Sequence, residues 1–352
     1  MRLLFWFFII TLIIYRFVVT RPNFSDGDKV RITTRVSSEP IKYETSQGLT
    51  VAGLKTYLPK FPEINYGDNV VVEGVVDDGK LEDPKLIDLK NNTGALYKIR
   101  NKIIEIYRKS LPEPHSSLIA GVTLGSKATL PQVFWEALKK TGTAHVVVAS
   151  GMNITLVASF LIGALVLLFS RRKAVILALI GVWIYSFLSG FDAPIIRAAI
   201  MGSIAFIAQG LGRLYVATRA LFLSAALMLI IKPDWLTDLG FILSFVSTTS
   251  LMLFERKITN LIRFVPGIFR EGLSTSLAAQ IGVAPILFVT FGQFNPLSPI
   301  INALVLWVVA PMTIIGGIAG IIGLMSFTLG KIILLLCFPL TTWFIWIIKA
   351  FG

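Results

Sequence analysis

Long apolar runs recur through the second half of this 352-residue sequence, and they constrain its fold more than any other feature. A helix needs about 20 mostly apolar residues to cross the roughly 30 Å of hydrocarbon in a bilayer. Only 15% of the residues are charged, against about 25% in an ordinary soluble domain. The sequence therefore predicts that most of the chain lies in lipid, with spans at 143–169, 174–189, 194–211, 215–231, 239–254, 272–291, 299–325 and 330–350.

A further apolar stretch lies at residues 3–20, between two arginines. No small-residue cleavage pattern follows it, so we expect residues 1–23 to form an uncleaved transmembrane anchor rather than a signal peptide. With this anchor, the sequence predicts about nine spans. Pro311, inside the run 299–325, leaves that number open by one because a proline can kink or end a helix.

Residues 24–93 have a different sequence pattern, in which short segments of alternating apolar and polar residues, such as NVVVEGVV, are separated by turn residues. Period-2 alternation with Val, Ile, Thr and Tyr predicts five or six strands. About seventy residues of this kind suit a small barrel that resembles an OB-fold. The predicted fold class is a mainly α-helical polytopic membrane protein, with a small N-terminal all-β, OB-like barrel after one anchor helix.

The charge of this barrel argues against tight binding of nucleic acid by the barrel alone. Residues 24–93 contain nine basic and twelve acidic side chains and few aromatics. Domains that grip single strands usually offer a basic groove with stacked aromatic rings. We expect only weak binding at physiological salt, because few phosphates can be neutralised.

Residues 94–142 are predicted to form amphipathic and short helices at the membrane surface, followed by a multi-span unit at 143–352. In the segment 94–112, apolar residues share one helical face and basic residues lie mostly elsewhere, which suits the plane of a membrane surface. Packing on the barrel or on other helices fits the pattern equally well. Residues 116–142 are expected to form two shorter helices broken near GSKATLP.

Loop charges predict how the chain crosses the membrane. The loops at 171–173 and 255–271 are basic, whereas those at 190–193 and 232–238 are not. Cytoplasmic loops carry an excess of Lys and Arg. This bias is the favoured explanation of the positive charge in the membrane part, which contributes most of the formal net charge of +13, and phosphate binding is the alternative. The loop charges place the N-terminus in the cytoplasm and the barrel outside.

Arg197 is the charged residue of greatest interest in the apolar runs. A charged side chain in hydrocarbon is costly, so it should face a partner or water. Arg197 could pair with Asp192 or Asp238, or snorkel to lipid headgroups. Alternatively, its five donors could bind the phosphate oxygens of a strand that passes a pore mouth.

Three small or polar residues, Ser150, Gly151 and Asn153, interrupt a run that otherwise suits a continuous helix. Such a break can line a cavity, as in transporters, or be a mild kink packed against a neighbouring helix. A serine nucleophile served by His145 is a weaker alternative, because residues five apart share a helical face poorly. Other neutral polar groups could join helices or line a re-entrant break, namely Gln280, Gln293, Asn295 and Asn302.

The segment TGTAHVVVASGMNITLVASFL, at residues 141–161, resembles the central signature of the ComEC competence family. That signature typically reads like TG-x-x-H-x-x-x-x-SG-x-H, and the matching residues here are Thr141, Gly142, His145, Ser150 and Gly151. Asn153 stands where the second histidine is expected, which removes a titratable group. Further matches follow in the family's order: LGSKATLP at 124–131, APIIRAAIMG at 193–202, DWLTDLGFILSF at 234–245 and the stretch 279–304.

This resemblance implies a channel in the bacterial cytoplasmic membrane that imports single-stranded transforming DNA during competence. The implied partners are single-stranded DNA, the lipid bilayer, a separate nuclease, a DNA-receptor protein and a cytoplasmic DNA-translocating ATPase, and an oligomer is possible. Longer members of the family carry a C-terminal metallo-β-lactamase-like domain, and we expect this chain to be a short form without it. The alternatives are a transporter of a smaller solute or lipid and, less favoured, an intramembrane hydrolase.

The sequence contains neither the Cys/His spacing typical of a zinc site nor a GxxxxGK[ST] string. We therefore expect no metal, no cofactor, no catalytic residue and no ATP motor within the chain. The predicted transport-pathway residues are His145, Ser150, Gly151, Asn153, Arg197, Asp238, Gln280, Gln293 and Asn302.

Overall fold

The computed structural model describes residues 2–20, 24–37, 39–43, 45–92, 94–127, 130–148, 150–210, 212–292 and 295–352. The protein is mainly α-helical, with a β-sheet after the first helix, which confirms the predicted fold class. Helix α1, Arg2–Thr20, precedes the sheet. Its strands are β1 Lys29–Arg35, β2 Ile41–Lys42, β3 Ser46–Val51, β4 Leu54–Pro59, β5 Asn69–Asp77 and β6 Lys80–Lys90.

The six strands pair in the order β1-β5-β6-β4-β3-β2. Strands β4 and β6 are parallel, and the other neighbours are antiparallel. Because β1 and β2 follow each other in the chain but lie at opposite ends of this order, the segment between them joins the two edges. This arrangement is compatible with the predicted small barrel, and the number of strands agrees with the prediction of five or six.

Alternation along the strands builds the core of this β-unit. In β5, Val70, Val72, Gly74 and Val76 are buried, while the residues that alternate with them are more exposed. The three valines pack with Val51 and Leu58 from β3 and β4. Successive strand side chains point to opposite faces, so one apolar face becomes the interior of the unit and the polar face meets solvent.

The helical unit follows the sheet. Its helices are α2 Ala95–Ser110, α3 His115–Leu124, α4 Gln132–Lys140, α5 Ala144–Val147, α6 Gly151–Val166, α7 Arg171–Leu188, α8 Ala193–Gly210, α9 Ala217–Ile231, α10 Leu239–Leu261, α11 Gly267–Phe291, α12 Ser298–Met325, α13 Phe327–Leu335 and α14 Phe338–Phe351. A short 3-10 helix, Pro233–Thr237, connects α9 to α10. The two short helices predicted in 116–142 are α3 and α4, and the GSKATLP segment separates them as expected.

Length and composition identify five of the predicted segments as candidate spans. Within the described ranges, five stretches are long and apolar enough: Ala144–Val166, Ala193–Gly210, Leu239–Leu261, Phe269–Thr290 and Ser298–Met325. Helices α7 and α9 do not meet the same requirement, because α7 begins with the charged RRK and α9 has only 15 residues. In α1, the stretch Trp6–Val19 is apolar.

The predicted span at 330–350 is not one straight helix. Helices α13 and α14 are bent by 50° at Leu336 and Cys337, so together they form at most a sixth span. Pro339 lies in the first turn of α14. Its ring cannot donate a backbone hydrogen bond, which favours the start of a new helix over the continuation of the old one. By contrast, Pro311 lies inside α12, which runs through it as a single helix.

Helix α12 forms the centre of the helical unit. It packs against α2, α3, α6, α11, α13 and α14. Its residues Val305, Val308, Val309 and Met312 are fully buried in a cluster with side chains from α3, α5 and α14. Interiors packed this closely resist changes of side-chain volume, so α12 provides a rigid support for the loops at its N-terminus.

Helix α2 packs on other helices, which confirms one of the two alternatives left open by the sequence. The Tyr107 hydroxyl donates to the carbonyl of Gly316 in α12 at 2.8 Å, and Tyr107 is 1% exposed. A Cβ at Gly320 would lie 2.7 Å from the same hydroxyl oxygen. The glycines of α12 therefore let the apolar face of α2 approach closely.

Candidate functional site

The predicted interruption before α6 is present. Helix α5 ends at Val147, and Ser150 is in an extended conformation with φ −116° and ψ 170° before α6 begins at Gly151. Gly121 of α3 allows this segment to pack tightly, since a Cβ there would lie 2.7 Å from the Val147 carbonyl oxygen. Gly121 thus lets α5 pack closely on α3.

Gly151 brings α6 to the guanidinium of Arg197 in α8. A Cβ at Gly151 would lie 3.0 Å from Arg197 Nη2. On the other side, Arg197 Nε donates to Ser244 Oγ of α10 at 2.8 Å. Arg197 Nη1 lies 3.7 Å from Met201 Sδ, and the Phe245 ring centroid is 6.0 Å from the guanidinium carbon. We call Gly151, Arg197, Met201, Ser244 and Phe245 the Arg197 cluster.

The predicted ion pairs of Arg197 are wrong. Asp192 lies 3.6 Å from the ammonium of Lys127, and Asp238 accepts the Phe241 N–H at 2.8 Å as the N-cap of α10. In the part of the chain that the structure describes, no carboxylate lies within ion-pair distance of Arg197. Helix capping satisfies a carboxylate well, so Asp238 is committed elsewhere.

The Arg197 guanidinium therefore keeps donors that could bind an anion. Its hydrogen-bonded oxygen partner among the described residues is the Ser244 hydroxyl, a thioether and an aromatic ring lie nearby, and Tyr215 is close enough to interact with it electrostatically. A guanidinium offers five N–H donors that match the oxygens of phosphate. The cluster has one positive charge and free donor capacity between three helices.

Asn153 faces a different neighbourhood from Arg197. Two residues apart on a helix point to nearly opposite sides, so Gly151 meets α8 while Asn153 turns away. Asn153 is fully buried, and its Nδ2 donates to the Val122 carbonyl of α3 at 2.8 Å. The Tyr185 hydroxyl of α7 lies beside Asn153 and Ser189. Among the described atoms, Asn153 Oδ1, Tyr185 Oη and Ser189 Oγ are buried without a hydrogen bond of good geometry.

The Thr-Gly turn before α5 docks on the N-terminus of α12. Gly142 has φ +73°, and a Cβ there would lie 2.5 Å from Ser298 Oγ. His145 Nδ1 lies 3.0 Å from the Gly142 carbonyl oxygen, and Asn302 Nδ2 donates to Ser298 Oγ at 3.3 Å. Asn295 Nδ2 donates to the Lys140 carbonyl at 2.7 Å. His145 and Asn302 thus belong to a turn that fixes helix positions.

The remaining predicted residues lie apart. Gln280 lines an apolar groove on α11 with Leu277, Ala284 and Phe288. Gln293 lies outside the described residues. Among the described residues, His145 Nδ1 contacts the Gly142 carbonyl oxygen and makes no hydrogen bond with Ser150, so the geometry of a nucleophile and its base is not assembled there.

A charged cluster that the sequence did not reveal joins the β-unit to the helices. Glu39, between β1 and β2, accepts hydrogen bonds from Arg100 Nη2 at 3.2 Å, from Ser126 Oγ at 2.8 Å and from the backbone N–H of Lys127. We call Glu39, Arg100, Ser126 and Lys127 the Glu39 clasp. No local pattern links residues this far apart in sequence. The amphipathic pattern of the segment 94–112 also placed Arg100 on the basic face of the helix, away from its apolar face.

The Glu39 clasp also contacts the residue that precedes α8. Lys127 pairs with Asp192, the residue before that helix. Burial raises the pKa of the Asp192 carboxyl; Lys127 opposes this, whereas the negative charges of Asp238 and Glu39 add to it. The first turn of α8, and with it Arg197, therefore lies at the end of the helical unit that faces the β-unit.

Comparison with known proteins identifies the helical unit. The family model described as Competence protein matches residues 122–352, about two thirds of the chain. The chain belongs to the competence protein family. The family resemblance expected from the Thr141–Leu161 signature is thereby confirmed. The matched region contains the whole Arg197 cluster and Asn153, whereas Glu39 and Arg100 precede it.

Two competence relatives show how far the similarity extends. ComE operon protein 3 of Bacillus subtilis (strain 168) is 28% identical over 226 residues, which are 64% of this chain and 28% of the relative. Competence protein ComA of Neisseria gonorrhoeae is 26% identical over 220 residues, 57% of this chain and 30% of the relative. The chain thus matches less than a third of the length of either relative. No solved structure matches it significantly.

Proposed function

We propose that this chain helps to import DNA during competence, by passing a single strand across the bacterial cytoplasmic membrane. The observation that carries the proposal is Arg197, held between α6, α8 and α10 without a carboxylate partner among the described residues. Membership of the competence protein family supplies the biological setting.

Arg197 lies near the end of α8 at which a path for DNA between the helices would begin. It lies four residues after Ala193, the first residue of α8, so the rise of about 1.5 Å per residue puts it about 6 Å into the helix. A buried arginine costs about 2.5–3.5 kcal/mol on insertion scales at a helix centre. A passing phosphate would repay that cost, because a guanidinium–phosphate pair is a strong, charge-assisted interaction.

In this proposal the β-unit lies outside the membrane and the strand arrives from its side. The charge bias of the loops supports that direction, and the clasp places Arg197 at the end of the helices near the β-unit. Tyr43 and Tyr57 of the β-unit are exposed rings 6.1 Å apart that could stack on bases. A DNA-receptor protein, a separate nuclease and a cytoplasmic DNA-translocating ATPase complete the proposed machinery, in which the chain could form an oligomer.

Uptake of labelled DNA by cells that carry Arg197→Leu tests the proposal. We expect loss of uptake with normal abundance in the membrane, since removing a charge makes insertion into lipid easier. Arg197→Lys should keep part of the activity, because the charge survives while the planar fork is lost. Arg219→Leu on α9, whose side chain is exposed, is the matched control and should import DNA normally. Normal uptake by Arg197→Leu at normal abundance would refute the proposal.

A further inference from the structure

The carboxylate of Glu39 lies in a pocket of hydrogen-bond donors that belong to the helical unit. Its Oε1 accepts from Arg100 Nη2 and Ser126 Oγ, and its Oε2 accepts from the Lys127 backbone N–H. Arg100 and Ser126 are 3% and 1% exposed, so the donors are almost fully withdrawn from water. A guanidinium, a hydroxyl and a backbone N–H that converge in this way form an anion site.

These donors are held in place by contacts that do not involve Glu39. Arg100 Nε donates to the Leu188 carbonyl at the end of α7 at 2.8 Å, and its Nη2 also reaches the Leu124 carbonyl at 3.4 Å. Gly125 ends α3 in a left-handed conformation with φ +67°, and the Ser126 N–H donates to the Ala120 carbonyl at 3.2 Å. The site would therefore keep its shape if the carboxylate left.

The donor set matches phosphate at least as well as it matches a carboxylate. Arg100 presents Nη2 to the anion, and a phosphate offers more acceptor oxygens than a carboxylate to the convergent guanidinium, hydroxyl and backbone N–H. The Lys127 ammonium, 3.6 Å from Asp192, lies on the same loop and adds positive charge at the rim. An exchange of one anion for another leaves the buried Arg100 paired, whereas an empty site would leave a buried charge without its partner.

We propose that Glu39 occupies a phosphate site, and that a phosphate group entering this site displaces Glu39 and releases the β1–β2 loop from the helical unit. Where the phosphate belongs to an incoming strand, the inference rests on the proposed function. A lipid headgroup offers the same chemistry. Release of this loop would remove the contacts that Glu39 makes with Arg100 of α2 and with Ser126 and Lys127 after α3. Anion binding at the site would thereby change how the β-unit is held on the helices.

Thermal unfolding of the purified full chain tests the site itself. Glu39→Ala should have a lower Tm than wild type in sodium chloride, and inorganic phosphate at equal ionic strength and pH should restore it in a saturable manner. Wild type should respond only at much higher phosphate concentrations, because phosphate must first displace Glu39. Glu63→Ala removes an exposed carboxylate of the same unit that pairs with Lys42, and it is the matched control without a phosphate response.

Adding Ser126→Ala to Glu39→Ala should weaken phosphate binding roughly tenfold or more, as expected when a hydrogen bond to a charged group is lost. If phosphate raises the Tm of Glu39→Ala no more than that of Glu63→Ala, the site does not exist and the inference is wrong.

Thiol labelling tests the displacement and does not depend on the folding of Glu39→Ala. Pro40 is buried beside the clasp, and the native Cys337 is buried too. In Pro40→Cys, the new thiol should react slowly until a phosphate group displaces Glu39. Four probes are compared: a single-stranded oligonucleotide, inorganic phosphate, nanodiscs with phosphatidylglycerol, and nanodiscs with phosphatidylcholine alone.

Faster labelling with the oligonucleotide identifies DNA phosphate as the ligand, and faster labelling only with phosphatidylglycerol identifies a lipid. Unchanged labelling with every probe overturns the displacement. The proposed function has its own test, since normal DNA uptake by Arg197→Leu would refute it. A phosphate site at the Glu39 clasp could therefore exist even if this chain did not import DNA.

Discussion

The Thr-Gly turn offers a sharp test of how α5 is held on α12. In Gly142→Ala two penalties add. A non-glycine residue in the left-handed region costs about 1–2 kcal/mol. The new Cβ would also lie 2.5 Å from Ser298 Oγ and 2.8 Å from Ser298 Cβ. Forcing an extra carbon into a packed site costs about 1–3 kcal/mol. The expected loss of stability is therefore about 2–5 kcal/mol.

Gly212→Ala is the matched control, because Gly212 has φ +66° but nothing within 4 Å of its Cβ position. This control should lose only the conformational part, about 1–2 kcal/mol. The sole cysteine, Cys337, is buried, so a thiol-reactive dye added during heating reports unfolding directly. The Tm of Gly142→Ala should fall about two to three times as far as that of Gly212→Ala, since Tm shifts scale with the change in stability.

Removing the Ser298 side chain separates the two penalties. The double variant Gly142→Ala/Ser298→Gly should regain most of the additional loss, because both atoms that meet the new Cβ are gone. Equal Tm values for Gly142→Ala and Gly212→Ala would refute the close approach of this turn to α12.

Three further predictions concern the pathway, the topology and the β-unit. Asn153→Leu removes a buried amide that donates to Val122, and we expect loss of DNA uptake at normal membrane abundance; parallel loss of abundance and uptake would indicate a packing role instead. Cysteines introduced at Ser46 and Ser170 in a Cys337→Ala background should react with an impermeant reagent in intact cells at Ser46 only, and labelling of Ser170 alone would invert the topology. The isolated segment 24–93 should bind single-stranded DNA weakly at physiological salt, and tight binding with a steep salt dependence would reveal a basic groove.

Local patterns predicted the elements of this fold well. Period-2 alternation identified the β-unit, and apolar runs located the helices, because both signals reside in neighbouring residues. Two predicted spans lie outside the five candidates, because α7 begins with three charged residues and α9 has only 15 residues, and run length alone does not register either feature. The bend at Cys337 has its cause in Pro339, which is present in the sequence, but a proline near the middle of an apolar run does not tell a kink from a boundary.

The candidate site was predictable only in part. Motif spacing identified Gly151, and a charge in an apolar run identified Arg197. The structure brings them together, with the Cβ position of Gly151 3.0 Å from Arg197 Nη2. Proximity in sequence suggested Asp192 as the partner of Arg197, but Lys127, far away in the chain, holds that carboxylate. The clasp between Glu39 and Arg100 joins residues from different units. Such long-range pairs depend on the tertiary fold, and a single sequence carries no local signal for them.

The central claim, that a strand passes beside Arg197, is tested most directly by crosslinking during uptake. We replace Phe245 with p-benzoylphenylalanine, because its ring lies 6.0 Å from the Arg197 guanidinium. The control is the same replacement of Phe222, an α9 side chain that is 65% exposed. Irradiation of cells importing labelled DNA should attach a single strand at position 245 and leave position 222 free of DNA. Equal attachment at both positions, or none at 245 while uptake proceeds, would contradict the account.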